Sequence, residues 1–295
     1  DNMAQLSVPT VDYTEYSNRQ LAAIPLVLLA VALLVIGGWV AVTGAPANLG
    51  QEFTGGSELR IQDPGANADQ QITDAFDVAP ATIQQIPADD AYIVTFPEGA
   101  VDTGDRTQLT VLREQAEASG FEIQASSSVD PSFTSGATAL AGVAAAFLGM
   151  SLLVFVMFRS IAPSIAVIAS AFSDVMLPLA MMNLLGIKLT LGTVAALLML
   201  IGYSVDSDIL LNNSILRQSG DFYESTSRAM RTGVTMTLTS IAAMSVMTVA
   251  AYLFGIQIMT AIGIVLVIGL LADLMNTYLL NVSLLRWYVN RGVKR

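Results

Sequence analysis

Four aspartates sit inside stretches that are otherwise apolar. Asp174 lies in AFSDVMLPLA, Asp206 and Asp208 in LMLIGYSVDSDILLNNS, and Asp273 in LLADLMNTYLLN. A charged carboxylate at a bilayer centre costs about 2.5–3.5 kcal/mol on insertion scales, so acids in such surroundings point to a role. None of the four has a Lys or Arg within its own apolar stretch. Carboxylates on facing helices, linked by hydroxyls, amides and water, are suited to taking up and releasing protons. Links of that kind are present. On a helix, Asn276, Thr277 and Asn281 share a face with Asp273 at i+3, i+4 and i+8, and Thr232, Thr235 and Thr239 recur at comparable spacing. Asp208 is two residues beyond Asp206, so it points about 200° away from it on an ideal helix. That leaves Asp208 as either a member of the relay or a residue near the inner interface. Asp273 is equally compatible with a plain interhelical hydrogen bond.

The chemistry that is missing narrows the field further. The chain contains neither cysteine nor histidine. Disulfides, thiolate catalysis and Cys-based metal sites are excluded, and the usual general base and transition-metal ligand are absent. No nucleotide loop, nucleophile–base pair or metal-ligand spacing is visible, so no enzyme activity, cofactor or metal is expected.

These residues need a frame to hold them. Of 295 residues, 54% are hydrophobic and 13% charged, and the mean hydropathy is +0.62. That is too apolar for a soluble domain of this length. Six stretches are long enough to cross a bilayer: 22–43, 136–158, 161–185, 189–211, 233–255 and 258–285. Residues 1–21 precede the first, with no basic n-region or clear cleavage site, so an uncleaved anchor is expected. Trp39 near its far end suits an interface position. Pro178 is expected to kink the third stretch four residues after Asp174. Small-residue runs in the second and fourth stretches suit close helix packing. The polar segment 212–233 reads as a pair of surface helices.

The net charge of −11 is unevenly spread. Residues 44–135 hold 15 acidic and 3 basic residues, and the remainder 9 acidic and 10 basic. One strongly acidic soluble domain is therefore carried by a near-neutral membrane body. Such a domain repels nucleic acid and suits high salt. It reads as strand 57–61, helix 67–76, strands 82–86 and 91–96, helix 104–120 and strand 121–129. The expected fold class is an α-helical membrane protein of six spans with one α+β, ferredoxin-like extracytoplasmic domain between the first and second. The basic residues fix the orientation: Arg19, Arg159, Arg217, Arg228, Arg231, Arg286, Arg291, Lys294 and Arg295 fall on one side, and Lys188 is alone in a short loop on the other. Both termini, including the basic tail 286–295, are thus expected in the cytoplasm of a cell with this protein in its plasma membrane.

With these elements in place, the chain resembles the SecF branch of the SecD/SecF protein-export family. GQEFTGGSELRI (50–61) is similar to the family's Gly-x-Asp-Phe-Thr-Gly-Gly-Thr segment at Gly50, Phe53, Thr54, Gly55 and Gly56, with Glu52 in place of Asp. The third and fourth spans and the Thr/Ser-rich fifth span, 235–255, also resemble the family. Ser173-Asp174 stands where bacterial members have His-Asp, and Asp206-Ser207-Asp208 where they have Asn-Asp-Thr. These departures, with the acidic domain, resemble archaeal, halophilic members. The resemblance implies a subunit that works with SecD beside the Sec translocation channel, using the proton gradient to move exported polypeptides across the lipid bilayer. It implies Asp206 as the main proton-binding group, supported by Asp174 and Asp273, with Asp208, Asn276, Thr277 and Thr239 nearby. Two other readings stand beside it: half of a proton-coupled small-molecule exporter of the same superfamily, and a purely structural subunit stabilising SecD.

Overall fold

The structure is a computed structural model that describes residues 13, 15–104, 106–129, 136–217 and 222–292. The chain begins its first long helix, α1 (Asn18–Thr43), at a capping box. Ser17 Oγ accepts from the Gln20 backbone N–H while the Gln20 side chain accepts from the Ser17 N–H. Gly44, at φ +76°, closes it. A single turn, α2 (Gln51–Thr54), then leads into β1 (Gly56–Gln62), α3 (Ala68–Asp74), β2 (Thr82–Ile86), β3 (Ala91–Pro97), α4 (Gln108–Ala118) and β4 (Ile123–Val129). Five long helices follow: α5 (Gly136–Phe158), α6 (Ile161–Leu185), α7 (Leu191–Arg217), α8 (Phe222–Leu253) and α9 (Gln257–Met275). A π-helical turn, Asn276–Asn281, joins α9 to α10 (Val282–Gly292).

The four strands form an antiparallel sheet in the order β2-β3-β1-β4. Alternation along β1 puts Leu59 and Ile61 under α3 and α4, with Ile72, Val94, Phe96 and Leu112 completing that core. The Phe76 and Phe96 rings meet edge to face at 4.7 Å. Glu58 lies on the opposite face of β1. There its carboxyl is pushed above the usual carboxylate range by loss of water.

Two attachments hold the sheet to the helices. Residues 46–50 run beside the α6–α7 connection, where Leu189 N–H donates to Asn48 O at 2.6 Å and Gly50 N–H to Leu189 O at 2.7 Å. Asn183 Nδ2 adds a bond to Pro46 O at 2.8 Å. Gly50 is small by necessity, since a Cβ there would lie 2.9 Å from the Leu189 carbonyl oxygen. Gly55, at φ +74°, turns the chain into β1. The second attachment is at the α8–α9 corner, where Ala88 N–H donates to Leu253 O at 3.1 Å and Ile86 packs on Gly255.

Among the described residues, six helices are long and apolar enough to cross a membrane: 18–43, 138–158, 161–185, 191–215, 223–253 and 257–290. Two expectations need correction. The segment 212–233 is not a separate helix pair. α7 runs on to Arg217 and α8 starts at Phe222, because nothing in LLNNSILR or FYESTSRAMRTG breaks a helix. The stretch 258–285 is not one regular helix but contains the π turn. Pro178 lies inside α6, which runs from Ile161 to Leu185. Residues 1–12 and 130–135, with Lys294 and Arg295 of the tail, lie outside the described residues, as do the side chains of Arg217 and Arg291.

Candidate functional site

Helix periodicity assembles the site. On α6, Ser170, Ser173 and Asp174 fall on one face. On α7, Ser204, Ser207, Asp208 and Asn212 do so, at spacings of three, one and four. On α9 and the π turn, Asp273, Asn276, Thr277 and Asn281 complete the set. All of these are buried: Asp174 and Asp208 are 0% exposed and Asp273 1%. α6, α7 and α9 pack on one another, so three carboxylates from three helices share one polar interior.

Each acid has its own partners. Asp174 is held on both oxygens: Ser204 Oγ donates to Oδ2 at 2.5 Å and Asn276 Nδ2 to Oδ1 at 2.6 Å. Asp273 Oδ1 accepts from Ser207 Oγ at 2.9 Å and Thr277 Oγ1 at 3.3 Å. Asp208 Oδ1 accepts from Asn281 Nδ2 at 2.7 Å, while its Oδ2 has no partner among the described residues. Ser207 Oγ also reaches the Ser204 carbonyl at 2.9 Å. Two hydrogen-bonded sets result, Asn276–Asp174–Ser204 and Ser207–Asp273–Thr277, which meet at the Ser204 backbone carbonyl, with Asp208 beside them. No Lys or Arg is buried among these groups in the described residues. Buried carboxylates that rely on hydroxyl and amide donors, not on a fixed cation, can exchange a proton with little rearrangement.

The π turn is part of this construction. It carries Asn276, Thr277 and Asn281, which serve three different acids. Its wider coil alters the spacing an α-helix would impose, and such turns recur at functional sites.

The structure reorders the residues named from sequence. Asp174, Asp208, Asp273, Asn276 and Thr277 come together. Asp206 does not: it lies on the exposed face of α7, beside Leu198, Met199 and Leu210. The geometry that turned Asp208 away from Asp206 turned it inward. Thr239 is also exposed, bonded to the carbonyls of Thr235 and Met236. From α8 it is Thr237 that is buried, accepting from Tyr203 OH at 3.2 Å. Ser170, Ser173, Ser204, Ser207, Asn212 and Thr237 went unnoticed in the sequence. For α7, the regular spacing of its polar residues carried the signal. Gly50, Phe53, Thr54, Gly55 and Gly56 form the attachment at the sheet end, well away from the acids in sequence and function.

The family model for the protein-export membrane protein SecD/SecF C-terminal region matches residues 109–291. The chain is 62% identical over 296 residues to the protein-export membrane protein SecF of Haloferax volcanii, covering 99% of this chain and all of that one. It is 60% identical to SecF of Haloquadratum walsbyi at the same coverage of this chain. The chain belongs to the SecD/SecF family of protein-export membrane proteins. Its fold matches the crystal structure of SecDF from Thermus thermophilus, described as a translocon-associated membrane protein, with a TM-score of 0.67 at 21% identity. That match covers 96% of this chain but 39% of the SecDF chain. A second SecDF structure, in a super-membrane-facing form, gives 0.60. As a member of this family with six apolar helices, the protein is a multi-pass membrane protein.

Proposed function

We propose that the chain is the SecF subunit of a SecD–SecF pair that uses the proton gradient to promote movement of exported polypeptides through the Sec channel, with no enzymatic step of its own. The observation that carries this reading is the buried cluster Asp174, Asp208 and Asp273, three carboxylates on three packed helices with no basic side chain among them in the described residues. Family membership supplies the export context. In this reading the three acids exchange the proton, and rearrangement of their partners on the π turn transmits the change.

Asp206 supports the need for a second subunit. A carboxylate on an otherwise apolar outer face costs about 2.5–3.5 kcal/mol in lipid, and a partner's polar groups remove that cost. We assign this face of α7 to SecD. The sheet domain is then the ferredoxin-like extracytoplasmic part, and Tyr13 and α10 lie on the cytoplasmic side, in keeping with the distribution of Arg residues.

The test uses membrane vesicles that carry the complete complex and an imposed pH gradient. Asp174→Asn and Asp208→Asn are expected to abolish the gradient-dependent part of export while the protein still co-purifies with SecD. Full export by both variants would overturn the reading in favour of a structural subunit.

A further inference from the structure

Asn212 lies one helical turn beyond Asp208, on the same face of α7 and away from the sheet domain. It is 0% exposed, and neither its Nδ2 nor its Oδ1 has a partner among the described residues. Asp208 Oδ2 is unpartnered as well. Leaving a buried amide unpaired is costly, and polar interior sites of this kind are the ones that hold water. Next to Asn212 in the chain, Leu211 and Ile215 belong to an apolar cluster. Leu211, Ile215, Met230, Val234 and Leu285 form a seal, and Tyr13, from the segment before α1, is built into it at 4% exposed.

Tyr13 is held there by polar bonds. Its hydroxyl donates to the Tyr278 carbonyl at 2.8 Å, inside the π turn. Arg286 of α10, 7% exposed, donates to Tyr13 O at 2.5 Å, to Tyr16 O at 2.7 Å, and through Nε to Asn18 Oδ1. One guanidinium thus fastens three points of the N-terminal segment. The same clasp grips the turn that carries Asn281, the partner of Asp208.

We propose that Asn212 is the first relay position of a hydrated path from the end opposite the sheet domain to Asp208, and that the Tyr13–Arg286 clasp is the gate of that path. Opening the clasp releases the Tyr278 carbonyl, so access to the acids and the position of the π turn change together. This inference rests on the reading of the aspartates as an ion-exchanging site.

The natural absence of cysteine makes the test clean. Asn212→Cys is introduced alone, with Tyr13→Phe and with Arg286→Gln, in membrane vesicles that expose the clasp end. Labelling by a charged, membrane-impermeant methanethiosulfonate is timed. The parent clasp should keep position 212 slow. Tyr13→Phe removes one hydrogen bond and should speed labelling about two- to tenfold. Arg286→Gln removes charge-assisted bonds and should speed it about tenfold or more. Equal rates in all three backgrounds, or no labelling in any, would overturn the gate. Leu200→Cys, in the main bundle core, reports general loosening. If Arg286→Gln also speeds labelling there, Tyr13→Phe decides: a rise confined to position 212 supports the gate, and no rise overturns it. Labelling reads access and not transport, so failure of the export reading at Asp208 leaves this outcome separately readable.

Discussion

The sheet domain and the helix bundle use the same side chain in opposite ways. Residues 44–135 carry 15 acids, most of them on the surface, where water and salt stabilise their charge. The bundle buries three, each bonded to hydroxyls or amides from another helix. Acids of the first kind are interchangeable and act by number. Acids of the second kind act by position, and each depends on named partners.

The largest expected effect tests that contrast directly. Asp208→Asn should lose gradient-driven export by about a hundredfold, the ordinary scale for loss of a proton-transferring side chain. Asp77→Asn, on the sheet domain surface, should leave export unchanged in the same vesicle assay. Equal losses would erase the distinction between the two regions.

Salt separates them next. Screening lengths grow from about 3 Å at 1 M to about 8 Å at 0.15 M, so dilution strengthens repulsion within the acidic domain. Hydrogen exchange at low salt should show β1–β4 losing protection while α6, α7 and α9 keep theirs. Single deletions refine the comparison. Ser204→Ala leaves Asp174 Oδ2 without a donor in the interior and should cost about 1–3 kcal/mol of stability. Thr107→Ala removes an exposed helix cap, whose Oγ1 accepts from Thr110 N–H, and should cost about 1 kcal/mol. Thermal unfolding of the purified protein compares the two.

The smallest effect concerns Glu58, the acid of the sheet domain that behaves most like a buried one. Burial raises its carboxyl, so the folded domain favours the protonated form. Stability should therefore increase as pH falls through the raised value toward the ordinary carboxylate range, and decline as pH rises through that window. The quantity to measure is the difference between parent and Glu58→Gln. The slope of the unfolding midpoint with pH should be shallower in the variant.

Much of this was legible in the sequence. Strand 82–86 has the bounds expected from its flanking turns, and the other strands differ by a residue or two at their ends. Periodicity and chain length governed those elements, and both are local. The site was only half legible. The spacing of Ser204, Ser207, Asp208 and Asn212 suffices to put them on one face of α7 and Asp206 off it, a signal that the expected site did not use. The choice between Thr237 and Thr239 was different. Both are helical threonines beside Leu238, and only the packing of Tyr203 shows which one faces inward. The π turn has no local signal in NTYLLN, because an extra residue in a helical coil is stabilised by the contacts it makes. Nor could Tyr13 and Arg286 have been paired from a chain that separates them by 273 residues.

The two attachments of the sheet domain carry a kinematic consequence. One pins residues 48–50 to Leu189, the other pins Ala88 to Leu253. A rigid body fixed at two separated points keeps a single rotation, about the line through them, like a door on two pins. Any swing of the sheet that preserves both contacts is a turn about that axis. The helices α3 and α4 then trace arcs whose radii are set by their distance from it. Any other displacement first requires one pin to be drawn.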